Sequence, residues 1–184
     1  NALMATRLWQ GDEGELASSA ATNNEEHLGT YATSPNRVKE DVANEKQIYE
    51  GGYAGRQVFE LVQNAADAAR IAGVDGRIEL FLSKTGSLYC ANTGEPLTAD
   101  GLTALQFNRL SPKTNQDVEL IGRFGVGFKS LLAVTKSPAI FSRTGSVLFD
   151  SDRAEEEIRS RVPQVRQTPR MRLTFPVEPQ DEFD

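Results

Sequence analysis

Three polar residues in the stretch VFELVQNAADAAR, Glu60, Asn64 and Asp67, stand at positions i, i+4 and i+7. On a helix this spacing sets them within about 60° of one another, on one face. Two carboxylates and an amide held in this way can orient and deprotonate a water and offer an amide oxygen to a hard cation. Val58, Leu61, Val62, Ala65 and Ala69 fall on the opposite side, so the same pattern also describes an amphipathic helix with a solvated acidic face.

A second stretch carries complementary chemistry. In IGRFGVGFKS, residues 121–130, a phosphate loop of the form G-x-x-x-x-G-K-[ST] starting at Gly122 needs lysine directly after Gly127, where Phe128 stands. Lys129 comes one position late, about 100° further round a helix, and reads equally well as an exposed helix charge. What the stretch retains is backbone. Gly125 and Gly127 let an anion approach N–H groups where the next helix begins, and that needs no lysine. With this loop beside the stripe, Asn64 fits a Mg2+ ligand and Glu60 a base that activates water against a terminal phosphate.

ELVQNAADA, ANTGEPLTADGL and IGRFGVGFKSLLAV, in this order and spacing, resemble the three ATP-site motifs of the GHKL superfamily, most of all those of its heat-shock chaperone and sacsin-like branches. The resemblance spans roughly residues 56–176. It implies the Bergerat fold, a two-layer α/β sandwich of α+β class, with ATP and Mg2+ held between helices and a lid. It also implies Glu60 as general base, Asn64 as magnesium ligand and Asp67 as a polar residue lining the pocket. Gly122, Gly125, Val126, Gly127 and Phe128 match the loop whose backbone amides hold the phosphates. The second motif departs from the family's D-x-G-x-G: Asn92 and Gly94 stand in place, with Pro96 where the second glycine belongs. Asparagine can accept from the adenine amino group and donate to a ring nitrogen. NTGEP is also an ordinary turn composition. The family's threonine near the last strand is matched by Thr168, with Thr174 as rival.

The elements that must position these residues follow from local signals. Residues 10–30 are polar, small and acidic without clear period, which reads as an arm, 1–33. A helix starts at Ser34-Pro35, with Val38, Val42, Ile48 and Tyr49 on its apolar side, and ends at Gly51-Gly52. The stripe helix runs from about Arg56 to Ala72 and stops at Gly73. Hairpins form around Thr85-Gly86 and Thr144-Gly145, and a short helix follows Thr98 as cap. The segment 98–121 reads as a lid, aperiodic from Asn108 onward. A helix near 152–160 and a strand in RMRLTFPV complete an ATP-binding domain over 34–178, and 179–184 form an acidic tail or linker. The five arginines of residues 159–172 read as a solvated edge or a docking surface. The architecture expected is one antiparallel or mixed sheet with helices on one face.

Composition narrows the classes. The 184 residues carry a formal net charge of −6, which argues against direct nucleic-acid binding. One cysteine, Cys90, and one histidine, His27, exclude disulfides and clustered thiolate or histidine metal sites, and fit a reducing, cytoplasmic setting. No apolar run approaches the roughly 20 residues that span a bilayer. The chain opens Asn1-Ala2 and closes on the acidic EPQDEFD, which reads as a piece of a longer protein. The function expected is an ATP-binding, slowly hydrolysing module of a chaperone-like or regulatory protein. Its partners would be ATP or ADP, downstream domains of the same chain, and a protein client or ATP-dependent dimer. A nucleotide switch without useful turnover, or a histidine-kinase ATP domain, are the alternatives.

Overall fold

The computed structural model describes residues 13–51, 55–107 and 126–178. The helices are α1 (Glu13–Thr33), α2 (Asn36–Glu50), α3 (Gln57–Ala72), α4 (Ala99–Phe107), α5 (Val126–Lys129) and α6 (Ser151–Arg161). A tight helical turn, Ser130–Ala133, continues α5. The strands are β1 (Ile78–Leu82), β2 (Leu88–Asn92), β3 (Ala139–Ser142), β4 (Gly145–Leu148) and β5 (Phe175–Pro176). The result is a mixed α+β fold consistent with an α/β sandwich. Its antiparallel pairing falls into a two-stranded ladder, β1-β2, and a three-stranded one, β3-β4-β5.

Local chemistry explains most boundaries. Gly73 adopts φ 64° after α3, and the N–H groups of Gly73 and Val74 close the helix end on Arg70 and Ala69. Thr98 caps α4 by accepting the Gly101 N–H at 3.0 Å. Asp150 caps α6, its Oδ1 accepting from Asp152 and Arg153 at 3.1 Å. In the β1-β2 hairpin Leu82 faces Leu88 and Gly86 sits at φ 90°, as the turn requires. The second hairpin turns one residue earlier than its sequence suggests: Ser142 pairs with Gly145, so Arg143-Thr144 form the loop.

Residues 13–33 are not an irregular arm. They form a helix, α1, that packs against α4, α6, β4 and β5. Leu16, Ala20, Leu28 and Tyr31 make its buried stripe. Between them sit Asn23 and His27, also buried, which dilute the apolar period until it is hard to see. Their burial is accommodated by contacts from far along the chain. Asn23 donates to Gln106 Oε1 at 2.8 Å and to Thr103 Oγ1 at 3.0 Å, and the His27 ring stacks on Phe107 at 4.0 Å. Helix α4, at the start of the segment read as a lid, buries Leu102, Leu105 and Gln106; residues 108–121 lie outside the described residues.

The core has its centre between α1, α2, α6 and the three-stranded ladder, where Leu28, Tyr31, Val38, Ile158 and Leu173 pack together. A second cluster joins Phe128 and Leu131 to Leu105, Phe149 and Met171, which seats α5. Polar side chains thread this interior. Asp41 accepts from the Tyr31 hydroxyl at 2.7 Å and from Arg172 at 2.9 Å, and Arg172 also donates to the Gln106 carbonyl at 2.8 Å. Arg172, one of the five arginines expected at a solvated edge, is therefore a buried structural cation, while Arg159 and Arg161 remain exposed.

Candidate functional site

Helix α3 does not bury one apolar face and solvate a polar one. Glu60 and Asp67 are buried, at 9 % and 0 % exposure, and Asn64 between them is half-buried, whereas Val58 and Phe59 stand largely in solvent. The helix lies between two neighbours. Ala69 packs against Gly76 and Gly94, which flank the β1-β2 hairpin, and Glu60 faces Gly127 of α5. Burying a carboxylate stripe while exposing a phenylalanine runs against transfer energetics, so local burial of apolar area does not explain this orientation.

The contact that orders the site is between Glu60 and Gly127. A β-carbon built on Gly127 would stand 2.0 Å from Glu60 Oε2 and 2.9 Å from its Cδ. A larger residue at 127 would have to displace the flexible end of the Glu60 side chain. Arg56, one turn earlier on α3, brings its guanidinium to 3.9 Å from Glu60 Oε1. Asp67 is held by Arg70 at 3.1 Å. At the start of α5, the Ser130 hydroxyl donates to the Gly127 carbonyl at 2.6 Å, and the Phe128 ring lies 5.7 Å from that of Phe149, anchoring the segment in the core.

The second motif reaches the same helix from the other side. Gly94, at φ 134°, approaches so closely that a β-carbon would come within 2.6 Å of the Ala68–Ala69 backbone. Glu95 then donates its N–H to the Ala68 carbonyl at 3.0 Å. Asn92 ends β2 opposite Ile78; it is exposed, and its amide donates to the Thr93 carbonyl at 3.2 Å. Gly94 thus serves first as the packing point of the hairpin on α3.

The remaining sequence candidates divide. Val126 opens α5, and Gly122 and Gly125 lie outside the described residues. Thr168 lines a polar cavity of about 330 Å3, with Glu45, Tyr49, Lys136, Glu155 and Arg170 among its walls and none of the α3 stripe. Thr174 is fully buried, its hydroxyl has no hydrogen-bond partner, and its backbone N–H and carbonyl are both bonded to the Asn24 side chain. Lys129 is not an exposed helix charge: it is fully buried.

Sequence reasoning missed this polar cluster. Val38, Asp41 and Glu45 are spaced i, i+3 and i+7 and form the inward stripe of α2. Glu45 accepts the backbone N–H groups of Arg170 and Met171 at 2.7 and 2.9 Å. Burial pushes its carboxyl above the usual range despite those bonds and the Lys129 charge. Burial also pulls the Lys129 amine down to about 7; Arg172 adds to this, and Glu45 and Asp41 oppose it. The only signal in the sequence was the helical spacing of two acids with a valine.

Among the described residues no group of three or more histidine, cysteine or acidic side chains converges as a metal site, and no helix is long and apolar enough to cross a membrane. Asn64 and Glu60 share one face of α3, an amide oxygen and a carboxylate of the kinds a hard cation takes, and Gly127 lies against Glu60.

No family model and no solved structure matches the chain. Curated relatives do. The chain is 30 % identical over 133 residues to the chaperone protein HtpG of Shewanella oneidensis and of Shewanella baltica. The HtpG of Shewanella denitrificans is 31 % identical over the same length. The alignment takes in 54 % of this chain and 21 % of the relative, so the chain spans about a fifth of the proteins it matches. Over about half its length, the chain is distantly similar to a bacterial chaperone.

Proposed function

We propose that the chain is the nucleotide-binding part of a chaperone-like protein and that it binds ATP with Mg2+ and hydrolyses it slowly. The observation that carries this reading is the approach of Gly127 to the Glu60 carboxylate, so close that a β-carbon on residue 127 would displace it. It brings the first and third motifs together from positions 67 residues apart in sequence. The distant similarity to a chaperone supports the same reading.

In this reading Asn64 ligates the metal, the backbone amides of residues 122–128 hold the phosphates, and Glu60 takes the proton of the attacking water. The bound metal would supply charge neutralisation at the terminal phosphate. Glu60 must first part from the loop, because its carboxylate now lies against Gly127. Arg56 is its partner in the resting arrangement. Asn92 and Gly94 supply the base-recognition edge, the Asn92 amide exchanging its bond to the Thr93 carbonyl for one to the base.

That resting contact is also what a nucleotide switch without useful turnover would use, with Glu60 serving as a latch. Calorimetry with ATP and Mg2+, beside phosphate release from the same preparation, tests both. Weak binding with turnover below about 1 s−1 is expected. Faster steady turnover by the monomer would sink the slow-hydrolysis reading. Binding with no release would favour the switch, and no binding would overturn the nucleotide assignment.

A further inference from the structure

Arg56 opens α3 with a charge that the helix does not favour. It is the N-cap residue, its side chain makes no capping hydrogen bond, and a cation at this end opposes the helix dipole. Its ion pair with Glu60 runs in the weaker order, the base one turn before the acid. The arginine side chain stays 54 % exposed and its guanidinium lies 3.9 Å from the carboxylate, so the pair adds little. Helix stability therefore gives no account of an arginine at this position. Its surroundings do. The guanidinium lies over the Phe59 ring at 5.6 Å and beside Glu60 Oε1, while Glu60 Oε2 lies against Gly127. One carboxylate thus spans Arg56 and Gly127, so a single anionic group can meet both.

We infer that Arg56 is a binding residue for the terminal phosphate of the nucleotide, and that the Glu60 carboxylate holds the place of that phosphate in the nucleotide-free chain. A terminal phosphoryl group carries more negative charge than the carboxylate and offers the planar guanidinium a pair of oxygens to grip. Arg56 meets it half in solvent, so little desolvation opposes the new contact. The exchange frees Glu60 from its partner, as a role toward water requires. Because the pair that is broken is weak, breaking it costs little affinity. ADP ends one phosphate short and leaves Arg56 with Glu60. This role rests on the function proposed above and deepens it, since one side chain of α3 would then tell ATP from ADP.

The test is calorimetry of the chain with ATP and with ADP, each in the presence of Mg2+. Arg56→Gln is expected to weaken ATP binding about tenfold and ADP binding by less than about twofold. A substitution that only loosened α3 would weaken both nucleotides alike, and that result would overturn the role, as would an unchanged ATP affinity. A second reading comes from nuclear magnetic resonance of the wild type. The Arg56 Nε–H signal should move on saturation with ATP and stay in place with ADP; a signal that answers both alike, or neither, would overturn the role. If Arg56→Gln does not fold, this signal decides alone. A wild type that binds neither nucleotide removes the proposed function and this role with it. A wild type that binds both, while Arg56→Gln keeps the same ratio between them, removes this role alone.

Discussion

Gly127 touches the carboxylate of Glu60 across the boundary between α5 and α3, with no room for a methyl group between them. The contact joins a buried acid on α3 to a glycine of α5, so substitutions on its two sides are coupled.

Gly127→Ala is expected to cost about 1 kcal/mol or less, because Glu60 can swing away and alanine is the better helix former by about 1 kcal/mol. In a Glu60→Ala background the clash is gone, and the same change should stabilise by up to about 1 kcal/mol. Urea denaturation of the four proteins of the cycle measures the coupling. Additive changes would mean that the two residues do not meet.

Glu60→Ala and Asn64→Ala separate chemistry from binding. A general base makes little contact with the ground-state nucleotide, so Glu60→Ala should bind ATP at close to wild-type affinity and lose hydrolysis by about 10² to 10⁴. Asn64→Ala should leave the fold intact and remove the magnesium dependence of binding. Calorimetry with and without Mg2+ checks the second. Residual turnover within about tenfold of wild type would reject Glu60 as base.

Gly94→Ala combines a positive φ with a backbone clash at Ala68–Ala69, and neither can be relieved by a flexible side chain. A loss on the order of 3 kcal/mol is expected, with the β1-β2 hairpin detached from α3. Amide exchange along Leu88–Asn92 reads out the detachment.

The parts of this fold legible in the sequence were those set by neighbours in the chain. Gly73 ends α3, Thr98 caps α4 and Gly86 turns the first hairpin because each satisfies a local backbone demand. The meeting of Glu60 with Gly127 was also legible, since the two motifs called for each other. Burial of polar residues was not. Asn23 and His27 turn inward because Gln106 and Phe107 receive them, about 80 residues away. Lys129, two residues after Gly127, is fully buried although its place in the loop reads as exposed. The inverted α3, with Phe59 out and Glu60 in, has the same origin: tertiary partners outweigh the apolar period.

Lys129 and Glu45 shape the pH dependence of stability with opposite signs. Lys129 releases its proton at about 7 in the folded chain and near 10.5 when unfolded, so between these values the unfolded state binds the extra proton. Stability from this group therefore rises with pH across that window, with a slope approaching about 1.4 kcal/mol per pH unit. The Glu45 carboxyl is raised on folding, so from its ordinary value upward the folded state holds the proton and its contribution falls as pH rises. Lys129→Met should remove the alkaline rise and keep the acidic fall. Urea denaturation midpoints at intervals from about pH 5 to about pH 10 measure both arms. A wild type whose stability is flat or declining between about pH 7.5 and pH 9.5, with Lys129→Met superimposable on it, would mean that Lys129 keeps an ordinary proton affinity and is not buried as a poised amine.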